Sequence, residues 1–173
     1  MLSKRVLVAG TACAAFAAFV GIAAGGPLRD VACKAGVISY GGAKGIVYCG
    51  PAKAAAATKT AQGPITLRFA QGRCEIRQKY VRVDIGTRML SAPNKPKPDY
   101  FQLVIGSTPG SNELPVTKDG KYKDALITVI KGGAEYLPDG TRGTVTLQKN
   151  RTKGLFSAKS GSGQVVSGSF VCS

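Results

Sequence analysis

From Pro64 onward the chain consists of short runs in which apolar residues alternate with polar ones, separated by Gly, Pro, Asn and Asp. A period of two is the mark of a half-buried strand, and no run here carries the 3.6-residue period of a helix. Ile65, Leu67 and Phe69 alternate with Thr66 and Arg68, and a turn at AQG leads to Cys74 and Ile76. Val81, Val83 and Ile85 then alternate with Arg82 and Asp84. The apolar set moves from even to odd numbers between Ile76 and Val81. A strand cannot change face without an irregularity, so a bulge or turn is expected near Gln78 and Lys79.

Further along, SAPNKPKPD reads as an extended, basic loop and YFQLVIG as a strand with Phe101, Leu103 and Ile105 on one face. STPGSNELPVTKDG is a loop. In KYKDALITVIKGG, Ala125, Ile127 and Val129 stand opposite Leu126, Thr128 and Ile130, the pattern of a central strand covered on both faces. LPDGTRG, NRTKG and GSG are turns between TVTLQK, LFSAKS and QVVSGSFVCS. The expected fold is all-β: an antiparallel β-sandwich or an open barrel-like sheet of about seven to nine short strands.

The first part of the chain reads differently. Lys4 and Arg5 precede an uncharged, Ala-rich run from Val6 to Ala24 that ends in small residues. This is the pattern of a signal helix, with cleavage expected between Ala23 and Gly25; an uncleaved anchor is the alternative. Cys13 has Gly10 three residues before it, where a lipoprotein signal needs a large aliphatic residue. Three regions follow: a signal segment 1–25, a Gly/Ala-rich segment 26–63 and a β domain 64–173. Within the second, VISY and GIVY flank GGAKG and suggest a small Gly-rich hairpin. GGAKG lacks the spacing of a phosphate loop. PAKAAAATKTAQG is read as a linker, with a short helix as the alternative.

Export implies an oxidising compartment, secreted or in the cell envelope. Cys33, Cys49, Cys74 and Cys172 then become disulfide candidates. Three pairings are open. The favoured one closes the hairpin with Cys33–Cys49 and nearly the whole domain with Cys74–Cys172. Val166, Gly168, Phe170 and Cys172 share one face of the last strand, so Cys172 is expected to point inward. Gly168 is the position where a neighbour can approach closely. Close cysteine pairs are missing and histidine is absent, so no metal and no cofactor are expected.

The absence of histidine also excludes Ser-His-Asp and Cys-His machinery. Glu75 and Asp84 stand among Arg73, Arg77 and Arg82, where cross-strand ion pairing explains them. Asp119 and Asp139 each precede a glycine and fit turns. Ser157 and Lys159 stand on alternating strand positions among serines, a poor setting for a dyad. Asn150-Arg151-Thr152 matches a glycosylation sequon by chance. A non-enzymatic protein is expected, with a carboxylate-based hydrolase as a distant alternative.

Removing Lys4 and Arg5 takes the formal charge from +15 to +13. The candidate contacts for an anionic ligand are Lys95, Lys97, Lys121, Lys123, Arg151 and Lys153. An anionic cell-wall polymer or a membrane surface is the expected partner, besides an unidentified protein. Tyr100, Phe101, Tyr122 and Tyr136 interleave with lysines including Lys131, as single-strand binders require. Phe101 alternates as a core residue, however, which disfavours nucleic acid. The competing explanation for the charge is solubility alone, since the cations are scattered along the chain.

The segments GRCEI, TKDGKYK and TKGLFSAKSGSGQVVSGSFVCS, behind a signal segment, resemble small exported β-proteins of actinobacteria. They look most like the mycobacterial surface lipoprotein antigen (LpqH-type) family. There too a Lys-Asp-Gly-x-Tyr turn precedes a strand, and the chain finishes on a cysteine paired with one on an early strand. The resemblance covers about residues 64–173. It implies a non-enzymatic envelope or secreted protein with a surface-interaction or structural role, and it carries over Cys74 and Cys172 as a structural pair. The chain departs from the family in having no lipobox cysteine and in its Cys33–Cys49 region.

Overall fold

The computed structural model describes residues 37–40 and 42–172. The expected signal helix and Cys33 lie outside the described residues. All the described elements are strands: β1 (Val37–Tyr40), β2 (Ala43–Tyr48), β3 (Ala52–Thr60), β4 (Gly63–Ile76), β5 (Tyr80–Met89), β6 (Tyr100–Gly106), β7 (Gly120–Lys131), β8 (Ala134–Leu137), β9 (Arg142–Gln148), β10 (Lys153–Lys159) and β11 (Val165–Val171). The fold is therefore all-β and antiparallel, as the alternation requires.

The sheet is neither a sandwich nor open. Strands β3, β4, β5, β6, β7, β9, β10 and β11 each pair with the next, and β11 pairs back onto β3 to close an eight-stranded barrel. This is an up-and-down meander, and full closure leaves no sheet edge along the closing pair. β8 adds to β7, and the β1–β2 hairpin adds to the end of β5 beyond the barrel. The VISY and GIVY runs form that hairpin, as read from the sequence.

Two expectations are corrected. The Ala-rich stretch is neither linker nor helix, because Ala52–Thr60 is strand β3, between β4 and β11. The AQG segment is no turn either. β4 runs through it, and Gln71, at φ 63°, makes a bulge that moves the inward residues from Leu67 and Phe69 to Gly72 and Cys74. The break near Gln78 and Lys79 is a turn, closed by the Arg77 amide donating to the Tyr80 carbonyl at 2.9 Å. A second bulge, at Asp124 (φ 63°), moves β7 from Tyr122 to Ala125.

The barrel interior is filled with side chains, as eight strands allow. Phe101 is fully buried and packs against Phe69 and Phe156, with ring centroids 5.8 and 5.3 Å apart. Ala52, Ala54 and Ala56 of β3 face these rings. Large residues on one wall thus meet small ones on the other. The same matching operates between neighbours on β10 and β11, where Gly154 pairs with Phe170 and Gly168 with Phe156. A Cβ at Gly168 would lie 2.0 Å from the Ala55 carbonyl oxygen and 2.8 Å from the Phe156 ring. Cys74 and Cys172 pack against this core and are joined by a disulfide with Cα atoms 5.7 Å apart.

Gly168→Ala is expected to destabilise the barrel by about 1–3 kcal/mol or more, because the new methyl group meets backbone that cannot yield. Urea unfolding under non-reducing conditions measures this. A midpoint equal to wild type would contradict the packing described.

Candidate functional site

With the interior filled, the outer wall of the barrel is where a partner can act. That wall has two unlike halves, and their difference begins in the sequence. No Asp or Glu occurs between Asp30 and Glu75, or after Asp139. These acid-free stretches supply β2, β3, most of β4, and β9 to β11. The barrel strands among them are contiguous, so one side of the wall carries cations without acids, and the acids are gathered on the other.

On the acidic side, outward residues of β5 and β6 form a closed polar network. Asp84 is 1% exposed and accepts from Arg82 at 2.6 and 3.2 Å, from the Tyr100 hydroxyl at 2.7 Å and from the Gln102 amide at 3.0 Å. Burial, then the Asp84 charge, pushes the Tyr100 hydroxyl well above its ordinary range, so it stays a donor. The hydrogen bond to Asp84 raises the Arg82 guanidinium further still. Tyr48 of β2 stacks on Tyr100, with centroids 6.1 Å apart, and seats the β1–β2 hairpin against the wall. Every polar atom of the Asp84 carboxylate is thus engaged, which is the pattern of a structural lock.

Beside it, Glu75 accepts from the Tyr80 hydroxyl at 2.7 Å and from Arg77 at 3.0 Å, with Arg73 at 3.3 Å. The Tyr80 hydrogen bond first, and Arg77 second, hold the Glu75 carboxyl below the usual carboxylate range. Ion pairing of Glu75 and Asp84 with the neighbouring arginines was expected from the sequence, but the pairs form between residues two apart along the chain and not across strands. Asp119, expected to serve a turn, accepts from the backbone amides of Asn150 and Arg151 at 3.1 and 2.7 Å. It thereby stabilises a turn in which Lys149, Asn150 and Arg151 all have positive φ.

The expected anion contacts are dispersed. Lys95 is exposed in the loop between β5 and β6, and Lys97 there is ion-paired with Glu135. Arg151 lies at the opposite end of the barrel, where its guanidinium donates to the carbonyls of Arg77 and Val116 at 2.7 and 2.8 Å. Lys121 and Lys123 are exposed on β7, and Lys153 is half-buried on β10. Tyr100 and Phe101 are buried and offer no ring face to a base. Lys131 is ion-paired with Asp99 and lies over the Phe69 ring. Cys49 is disulfide-bonded, to a partner outside the described residues.

The sequence reading missed Lys53, Lys59, Arg68 and Lys159. In β3 the inward residues are Ala52, Ala54, Ala56 and Thr58, so Lys53 and Lys59 point outward. Registers place Lys53 and Lys153 on either side of Val171, and Arg68 beside Ala55. Lys53, Lys59, Lys153 and Lys159 make no ion pair among the described residues. The signal was present in the parity of KAAAATK, hidden by reading it as a linker.

Asp84→Ala is expected to cost about 3 kcal/mol, the low end for stripping one member from a buried pair, because Arg82 keeps 27% exposure. A denaturant midpoint near wild type would remove the lock from the account. For Glu75 the folded carboxyl lies below its ordinary value of 4.5. Its contribution is therefore present above that value and is lost as pH falls through it. Glu75→Gln is expected to be less stable than wild type at neutral pH, with the gap closing below about pH 4. Unfolding midpoints across that range test the sign.

No family model matches the chain, and no match is found among the curated proteins or the solved structures.

Proposed function

We infer that the protein is an exported, disulfide-stabilised, non-enzymatic barrel of the cell envelope or its surroundings, and that it binds anionic surfaces through its acid-free wall. One observation carries the reading. The outer faces of β3, β9, β10 and β11 present Lys53, Lys59, Lys153 and Lys159 with no carboxylate between them. Solubility alone needs net charge but no segregation of its sign, whereas a single-sign face raises the local concentration of anionic partners.

The Cys74–Cys172 disulfide agrees with an oxidising compartment. The barrel's polarity also bears on where it would act. Its phenylalanines face inward, and the outer positions of β3 and β9–β11 are rich in Lys, Ser and Thr. A membrane-spanning barrel has the reverse arrangement. The acid-free wall therefore suits contact with an anionic surface from the aqueous side.

Binding to a linear polyphosphate and to anionic vesicles, followed as salt is raised, tests the role. Affinity is expected to fall steeply as the screening length shrinks below about 10 Å near 0.1 M salt. Binding that ignores salt, or no binding to either material, sinks the reading.

A further inference from the structure

The acid-free wall has a geometry that selects among anionic surfaces. β3 and β10 both pair antiparallel with β11 and so run parallel to each other. Lys53 and Lys153 are both partners of Val171. Six residues on, Lys159 partners Val165, and Lys59 follows Thr58, the partner of Val166. Four lysines therefore stand at the corners of a frame. Strand spacing makes it about 10 Å across, and the rise per residue makes it about 20 Å long.

The floor of the frame consists of small side chains: Ala55 and Ala57 on β3, Ser167 and Ser169 on β11, and Ser157 on β10. Two larger aliphatic residues rise from it, Leu155 and Val165, each 54% exposed. Arg68 and Lys121 extend the central row on either side, through Ala55, Ser169, Leu155 and Thr146.

We propose that this face docks on the headgroup layer of an anionic lipid bilayer, with the four lysines on lipid phosphates and Leu155 and Val165 in the interfacial region. The proposal rests on the function inferred above and narrows it to one partner. Two features separate a bilayer from a polymer or nucleic acid. The face carries no aromatic side chain on which a base could stack. Its exposed aliphatics lie on the sides of the cationic frame, between its lysines, the combination by which peripheral proteins join apolar insertion to headgroup attraction. Lysine stems can lie along the small floor while their ammonium groups reach outward.

The test uses the full chain and two kinds of vesicle, phosphatidylcholine alone and an equimolar mixture with phosphatidylglycerol. The quantity read is the increment in partitioning that phosphatidylglycerol produces, which cancels binding that does not depend on lipid charge. Lys53→Glu with Lys153→Glu is expected to lower that increment at least about tenfold. Lys44→Glu with Lys118→Glu makes the same change in net charge away from the frame and is expected to leave most of it. Leu155→Ser with Val165→Ser is expected to weaken the binding that survives high salt. Thermal midpoints of the variants show that each is folded.

Equal loss in the two lysine pairs would overturn the frame and leave the charge-based role standing. Absence of vesicle binding, with polyphosphate binding that the frame variant abolishes, would overturn the bilayer and make a polymer the occupant. Absence of both would overturn the function inferred above as well.

Discussion

The pairing of β11 with β3 is the contact on which the barrel depends. The other barrel ladders join strands that follow one another along the chain, so they form locally. This one joins strands more than a hundred residues apart, and it must recover the entropy of closing that loop. Its register explains the composition of both partners. Phe170 lies opposite Ala54, and Gly168 lies opposite Ala56 and beside Phe156. Larger residues at these alanines or at Gly168 would separate the strands. The Cys74–Cys172 disulfide then spans from β4 past the start of β3 to the end of β11, closing a separation of 98 residues. On a chain-entropy view a loop of about 100 residues contributes about 4.7 kcal/mol. The covalent link therefore assists the ladder that is hardest to form.

Closure also leaves the interior packed with side chains. Because Phe69, Phe101, Phe156 and Phe170 occupy the interior, the barrel is a solid body whose two outer walls differ in charge. One wall gathers the acids and spends them on structure: Asp84 locks the β2 hairpin to β5 and β6, Glu75 holds the start of β5, and Asp119 caps the turn that carries Arg151. On the other wall Lys53, Lys59, Lys153 and Lys159 make no ion pair among the described residues, and Arg142 at its margin is paired with Glu113. The net positive charge is therefore concentrated on one side, although the cations are spread evenly through the sequence.

Much of this was legible in the residues, and what was not has identifiable causes. Period-two alternation marked β5, β6 and β7 directly, and the shared face of Gly168, Phe170 and Cys172 pointed the last cysteine inward. β3 was obscured because alanine favours helices by intrinsic propensity, and short residues give little contrast between faces. Its strand state is imposed by packing, since only small side chains fit beneath the phenylalanines opposite. The bulge at Gln71 resembled a turn because both need a residue in the left-handed region. Barrel against sandwich turns on whether the first and last strands meet, and no local pattern encodes that.

The candidate cations show the same limit from the functional side. Arg151 and Lys97 stood out as members of basic loops, yet each is held by groups of its own fold: Arg151 by two carbonyls, Lys97 by Glu135. Lys53 and Lys59 share the outward parity of a strand that reads as a linker. They acquire meaning only when β11 places Lys53 across from Lys153, a hundred residues away in the chain. A cationic face on a barrel is thus a property of strand order and register, and it exists only once β11 has closed onto β3. The contact that stabilises the fold is the same one that assembles the face, so a substitution that opens the β3–β11 ladder removes both together, while substitution of an exposed lysine leaves the barrel intact.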